Sequence, residues 1–250
     1  GIRDRSVSRG SEMCIRDSFN SQGNPNLKPS DHYNLDLKWD FNPTPTELIS
    51  LTAFYKLIKN PISRIEVASA GGYLSYENIA DKATVAGVEV EIRKNLFVRP
   101  VSNAAHGMNK LSLGLNGSYI YTNAKMPLAT VTTGSQLEGA APWIVNFDLS
   151  HNFTKRERSF VNTLVLNYVS DKIYTIGTQG YQDMMEQGVL TLDFVSQAKL
   201  NKHLSLNLKA RNLLNPSYKL SRKVNENGEK VILNDYKKGI NISLGVSCTF

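Results

Sequence analysis

The final eleven residues, Ile240 to Phe250, separate by parity into two chemically opposite sets, and no other stretch restricts the fold as much. Ile240, Ile242, Leu244, Val246, Cys248 and Phe250 are apolar, while Asn241, Ser243, Gly245, Ser247 and Thr249 are small or polar. A period of two describes an extended strand that sorts its side chains to opposite faces. Unbroken alternation of this length suits a tilted strand crossing a bilayer, which takes about 9–11 residues, with one face on hydrocarbon and the other on a wet lumen. Soluble sandwich strands alternate too, but they are usually about 5–6 residues long.

The same period recurs along the chain. Tyr33, Leu35, Leu37, Trp39 and Phe41 alternate with Asn34, Asp36, Lys38 and Asp40; Ile49 to Leu57, Ala86 to Ile92, Leu111 to Tyr121 and Trp143 to Phe153 follow the same rule. Phe160 to Tyr168 is less sharply sorted because Val161 and Val165 fall on the polar parity, and Leu190 to Leu200 and Leu204 to Ala210 complete the set. With the terminal segment, about nine strands and no helix are expected. Short links at 42–47, 154–158 and 201–203 contrast with long, polar ones around 59–83, 123–141, 170–187 and 214–237. Short turns at one end and long exposed loops at the other describe a membrane barrel; the stretch 94–110 should be short on this scheme and is not. Aromatic residues divide the same way. Trp39, Phe41, Phe153 and Phe160 lie beside short turns, whereas Tyr55, Tyr121, Trp143 and Tyr168 lie beside long loops, as two interfacial girdles require.

Composition removes competing classes. No run of 18 apolar residues exists in the 250, so helical spans are not expected, and a mean hydropathy of −0.29 is compatible with a barrel that hides its apolar half by alternation. The net charge of +7 comes from Lys and Arg spread thinly, without a basic helix or a nucleic-acid motif, so no nucleic-acid partner is expected. His32, His106, His151 and His203 lack metal-ligand spacing, and no G-x-S-x-G organises a hydrolase. Neither catalysis, a metal nor a cofactor is anticipated. Cys14 and Cys248 read as free thiols.

Four strings then carry a family resemblance: GNPNLKPS at 23–30, FYKLIKNPI at 54–62, YENIADKATVAGVEVEIRKNL at 76–96 and RNLLNPSY at 211–218, followed by the terminal Phe250. In this order they resemble segments of TonB-dependent outer-membrane receptors, with Ser30 standing where glutamate is common. The resemblance covers residues 19–250 and implies an all-β, transmembrane antiparallel β-barrel, of which this chain supplies roughly nine carboxy-terminal strands out of 22. Residues 1–18 have no periodicity, and SEMCIRDS resembles translated sequencing-adapter fragments; a non-native or disordered head is expected there.

The family implies a cell outer membrane location in a Gram-negative bacterium and import of an iron chelate, cobalamin or an oligosaccharide; the alternative expectation is a passive outer-membrane channel or structural barrel. Its implied partners are outer-membrane lipid, the imported small ligand, the TonB complex acting through an amino-terminal region outside this chain, and the barrel-assembly machinery. A surface lipoprotein is a further partner of this class. By the same resemblance Ile240, Ile242, Leu244, Val246 and Phe250 form the assembly signal. No ligand-binding residue is legible in the sequence.

Overall fold

The computed structural model describes residues 20–67, 73–101, 107–125, 136–178, 181–224 and 229–249, and those residues contain strands and no helix. Phe250 and residues 1–18 lie outside the described residues. In chain order the strands are β1 (Asp31–Phe41), β2 (Leu48–Lys59), β3 (Ile62–Val67), β4 (Tyr73–Asn78), β5 (Lys82–Pro100), β6 (Met108–Ala124), β7 (Trp143–Lys155), β8 (Arg158–Val169), β9 (Lys172–Thr175), β10 (Met184–Glu186), β11 (Val189–Lys199), β12 (Leu204–Arg211), β13 (Ser217–Lys223), β14 (Lys230–Lys237) and β15 (Asn241–Cys248). Nine form one sheet in the order β1-β2-β5-β6-β7-β8-β11-β12-β15, with every neighbouring pair antiparallel. The sheet is open, with β1 and β15 at its edges.

Register explains why the alternation matters, because directly opposed residues share a face. From Trp39, successive partners are Leu51, Val90, Gly117, Val145, Tyr168 and Leu190. One position along, on the other face, Asp40 leads to Ser50, Glu91, Asn116, Asn146, Asn167 and Thr191. The sequence periodicity of each strand is thus in phase with its neighbours, giving one apolar and one polar face. A slip of one residue at any strand would mix them. Val161 and Val165 lie on the polar side, opposite Asn152 and Asp148.

The ladder also reports how the strands lean. Trp39 stands near the short-turn end of β1, and Tyr168 near the long-loop end of β8, yet five strand steps along one row connect them. A row of directly opposed residues therefore starts near one end of the sheet and finishes near the other, so successive strands are staggered, as the tilted strands of a barrel are.

Buried apolar residues are found elsewhere. Ile65, Ile79, Ala80, Ala83, Ala124, Leu137, Ile173 and Ile176 form one cluster, and Leu74, Met184 and Leu220 another; all belong to the long links or to strand ends beside them. Those links differ from the plain loops expected. The link after β2 folds into the β3-β4 hairpin, and the links after β8 and β12 combine as a four-stranded sheet, β14-β13-β10-β9. Thr178, in a stretch that reads as exposed loop, is 6% exposed and its hydroxyl donates to the Glu66 carbonyl. At the opposite end, the long 94–110 stretch is explained by strand length: β5 continues to Pro100 through a bulge between Asn95 and Phe97, and β6 begins at Met108.

Candidate functional site: a braced cap above the polar wall

Three of the four sequence strings meet at one node where β1, β2 and β5 reach the cap. Asn60, left-handed at φ 48°, ends β2, and its N–H donates to the Asp81 carbonyl at 3.0 Å. The Ser30 hydroxyl donates to the Asn60 carbonyl at 2.6 Å. The Asn78 side-chain amide donates to the same carbonyl at 2.9 Å and to the Lys28 carbonyl at 3.0 Å, and its oxygen accepts the Lys28 N–H at 2.8 Å. Upstream, Asn20 and Gln22 bond the backbone of Leu74, and the Asn24 amide donates to the Tyr76 carbonyl. The amino-terminal string is therefore laid along β4. Asparagine suits these positions because its short amide bonds backbone and tolerates a left-handed conformation.

The fourth string forms a second clamp. Asn212 and Asn215 are left-handed at φ 57° and 43°; the Asn212 amide donates to the Gly239 carbonyl at 2.7 Å, while the Gly239 N–H donates to the Asn215 side-chain oxygen at 3.0 Å. The N–H of Asn212 donates to the Asp193 carboxylate at 2.8 Å. The base of the β13-β14 excursion is thereby tied to the start of β15.

Between these clamps, β3 joins the remaining links. Arg64 pairs with Glu138 at 2.9 Å, donates from Nε to the Tyr174 carbonyl at 3.1 Å, and lies 3.9 Å over the Tyr174 ring. The Arg64 carbonyl accepts the Ile176 N–H at 3.0 Å, and the Glu66 N–H donates to the Ile176 carbonyl at 3.1 Å. Glu66 also pairs with Arg222 of β13; the side chains are 13% and 16% exposed. A six-residue strand thus contacts all three other long links. Sequence reasoning passed over these ions, and the signal available was slight: two charges of opposite sign within the short apolar run ISRIEV.

Below the cap, the polar face carries Glu91 and Arg93, paired at 2.6 Å. Phe54 is an aromatic on this face, and its ring covers Gly87; the Asp148 carboxylate similarly occupies the space beside Gly114. Among the described residues, no group of three or more His, Cys, Asp or Glu side chains is placed to hold a metal.

The residues anticipated for assembly and for the girdles are on the opposite face or at its margins. Ile240 precedes β15 and is exposed, and Ile242, Leu244 and Val246 project side by side from that strand at 68%, 70% and 62% exposure. Trp39 and Phe41 stack at 6.1 Å and Phe153 with Phe160 at 6.5 Å, all near short turns. Trp143 packs on Tyr119 at 4.6 Å; with Tyr55, Tyr121 and Tyr168 it occupies the end nearer the cap, and all four anticipated residues there are exposed.

These features can be compared with known families. The model described as "TonB dependent receptor-like, beta-barrel" matches residues 6–213, ending within the Asn212–Asn215 clamp. No curated protein and no solved structure matches the chain. An antiparallel sheet with one continuous apolar face, staggered strands and a family match over most of the length lead to one assignment: the chain belongs to the TonB-dependent receptor-like β-barrel family.

Proposed function

We propose that this chain forms part of the wall and outer cap of an outer-membrane receptor that imports a scarce ligand, energised through the TonB complex. The observation that carries this reading is the sheet register. It puts Leu35, Leu37 and the whole Trp39 row on one face, and at the far edge it pairs Ile242 with Ala210 and Leu244 with Leu208. A soluble fold would bury such side chains, yet Leu37 is 74% exposed and Leu244 70%. A patch of this extent suits hydrocarbon. The polar row from Asp40 to Thr191 suits a wet lumen, and the cap, with its own buried core, suits the extracellular side, where long loops gather.

On this reading Ile240, Ile242, Leu244 and Val246, with Phe250, present the surface that the barrel-assembly machinery reads, and the two sets of aromatics lie at the two membrane interfaces. The open edges of β1 and β15 would leave backbone N–H and C=O groups unpaired in hydrocarbon, at several kcal/mol each. Further strands of a larger barrel cover them, and residues 19–250 form its carboxy-terminal portion. A plug and TonB-contacting region in the remainder of the receptor would supply gating.

The test is uptake by the full-length gene product in cells. Transport should require both TonB and the inner-membrane proton gradient. Uptake that persists unchanged after TonB deletion and collapse of the gradient would replace the importer with a passive channel.

A further inference from the structure

Two cavities at the junction of cap and wall belong to one groove. The first, of about 220 Å³, is lined chiefly by Tyr174, Tyr218, Tyr236, Glu186 and Asn234. The second, of about 160 Å³, shares Glu186 and Tyr218 and continues onto Asn167 and Thr191, which belong to the polar face of β8 and β11. The cap's four-stranded sheet therefore turns an aromatic surface toward the mouth of the lumen. Together the cavities reach the size of a small-ligand site, about 300 Å³ or more.

The chemistry of this lining is specific. Tyr218 and Tyr236 are cross-strand partners whose rings lie 5.4 Å apart and within 19° of parallel, and Tyr236 is 50% exposed. Asn234 adds an amide on the same face as Leu220. Most of the nearby cations are matched: Glu186 pairs with Lys172 at 3.2 Å, Lys219 with Asp235 at 3.8 Å, and Arg64 with Glu138. Lys238 is the exception, resting 3.8 Å over the Tyr218 ring with no carboxylate partner among the described residues. A multiply charged anionic chelate calls for several Arg or Lys groups that are not already neutralised by carboxylates, and this groove offers one. Electron-rich aromatic faces beside an amide and a carboxylate suit instead a ligand with polarised C–H groups on one face and hydroxyls at its rim.

Resting on the receptor reading above, we infer that this groove binds a neutral polyhydroxylated ring, the chemistry of an oligosaccharide, with the half-exposed Tyr236 ring as its stacking platform, Tyr218 packed against it as support, and Glu186 and Asn234 as hydroxyl partners. The test is equilibrium binding to the full-length protein in detergent, which needs no energy source and is independent of TonB-driven uptake. An array of neutral α- and β-linked oligosaccharides identifies a binder, and isothermal titration measures it against a ferric tris-catecholate complex as the anionic probe. A neutral oligosaccharide should bind, with affinity about tenfold weaker in Tyr236→Ala and in Asn234→Ala and little changed in Tyr236→Phe. Tyr236 is half exposed, and heat-modifiable gel migration reports whether each variant is folded. The assignment is overturned if no neutral oligosaccharide binds, if binding is equal in the folded variants, or if the ferric complex binds with the dependence on Tyr236 expected of the sugar.

Discussion

At the scale of single residues, parity assigns each strand position to the apolar or the polar face of the sheet, which the receptor proposal turns to hydrocarbon and to water. Val246 and Ser247 are adjacent in β15 and both exposed in this sheet, but they face opposite ways. In the full-length protein, Val246→Arg would set a cation against lipid at about 2–4 kcal/mol near mid-bilayer, whereas Ser247→Arg would place it in the lumen. Membrane insertion, read by heat-modifiable migration and surface proteolysis, should fall sharply for the first and little for the second; the opposite ranking would reverse the facing. Glycine gives a second matched pair. A Cβ at Gly87 would overlap the Phe54 ring and the Tyr119 carbonyl oxygen, while one at Gly117 meets nothing within 4 Å. Gly87→Ala should therefore lower unfolding stability by about 1–3 kcal/mol, through overpacking, with Gly117→Ala close to wild type in the same denaturation assay. The parity of both glycines can be read from sequence. That Phe54 lies across Gly87 cannot, because it depends on the β2-β5 register and a rotamer.

At the scale of elements, the long links fold because they must bury their own apolar surface in water, whereas the apolar face of the sheet beneath them, on the receptor proposal, has lipid as its solvent. β3 holds this arrangement together through Arg64 and Glu66. Arg222→Ala would leave the nearly buried Glu66 carboxylate without its cation, at a local cost of up to about 3–5 kcal/mol. Hydrogen exchange should accelerate across β13 and β14 and stay unchanged across β7 and β8. Uniform protection in the variant would mean that the cap is held by its apolar clusters alone. Sequence periodicity identified all nine strands of the main sheet but none of the six in the links. Five of those six have seven residues or fewer, and β10 only three, too few for a period to register; β14 is as long as β12, but its apolar Val231, Ile232 and Leu233 are consecutive and do not alternate.

At the scale of the molecule, every long link leaves one end of the sheet and every shorter connection the other. A cysteine replacing exposed Lys230 in β14 should react with an impermeant maleimide on intact cells expressing the full-length protein, and one replacing exposed Lys202 in the β11-β12 turn should react only after the outer membrane is opened. Reverse labelling would invert the topology. Thr178, by sequence an equally good outside position, is a poor choice because its side chain is enclosed by the cap.

The sequence by itself determined the class of fold, the number of main strands, the face each residue takes and the end at which the large excursions emerge. Those properties follow from a two-residue period and from link length, both local quantities that a chain carries before it folds. The four family strings were also legible, but what they do was not: Asn60, Asn78, Asn212 and Asn215 are backbone clamps whose partners lie as far as 50 residues away, as between Lys28 and Asn78. Only the tertiary structure decided that four separate links share one core, that β3 pairs across them, and that three tyrosines from β9, β13 and β14 border one groove. Contacts between segments so distant are set by strand register and by the closure of the cap, and no local pattern records either.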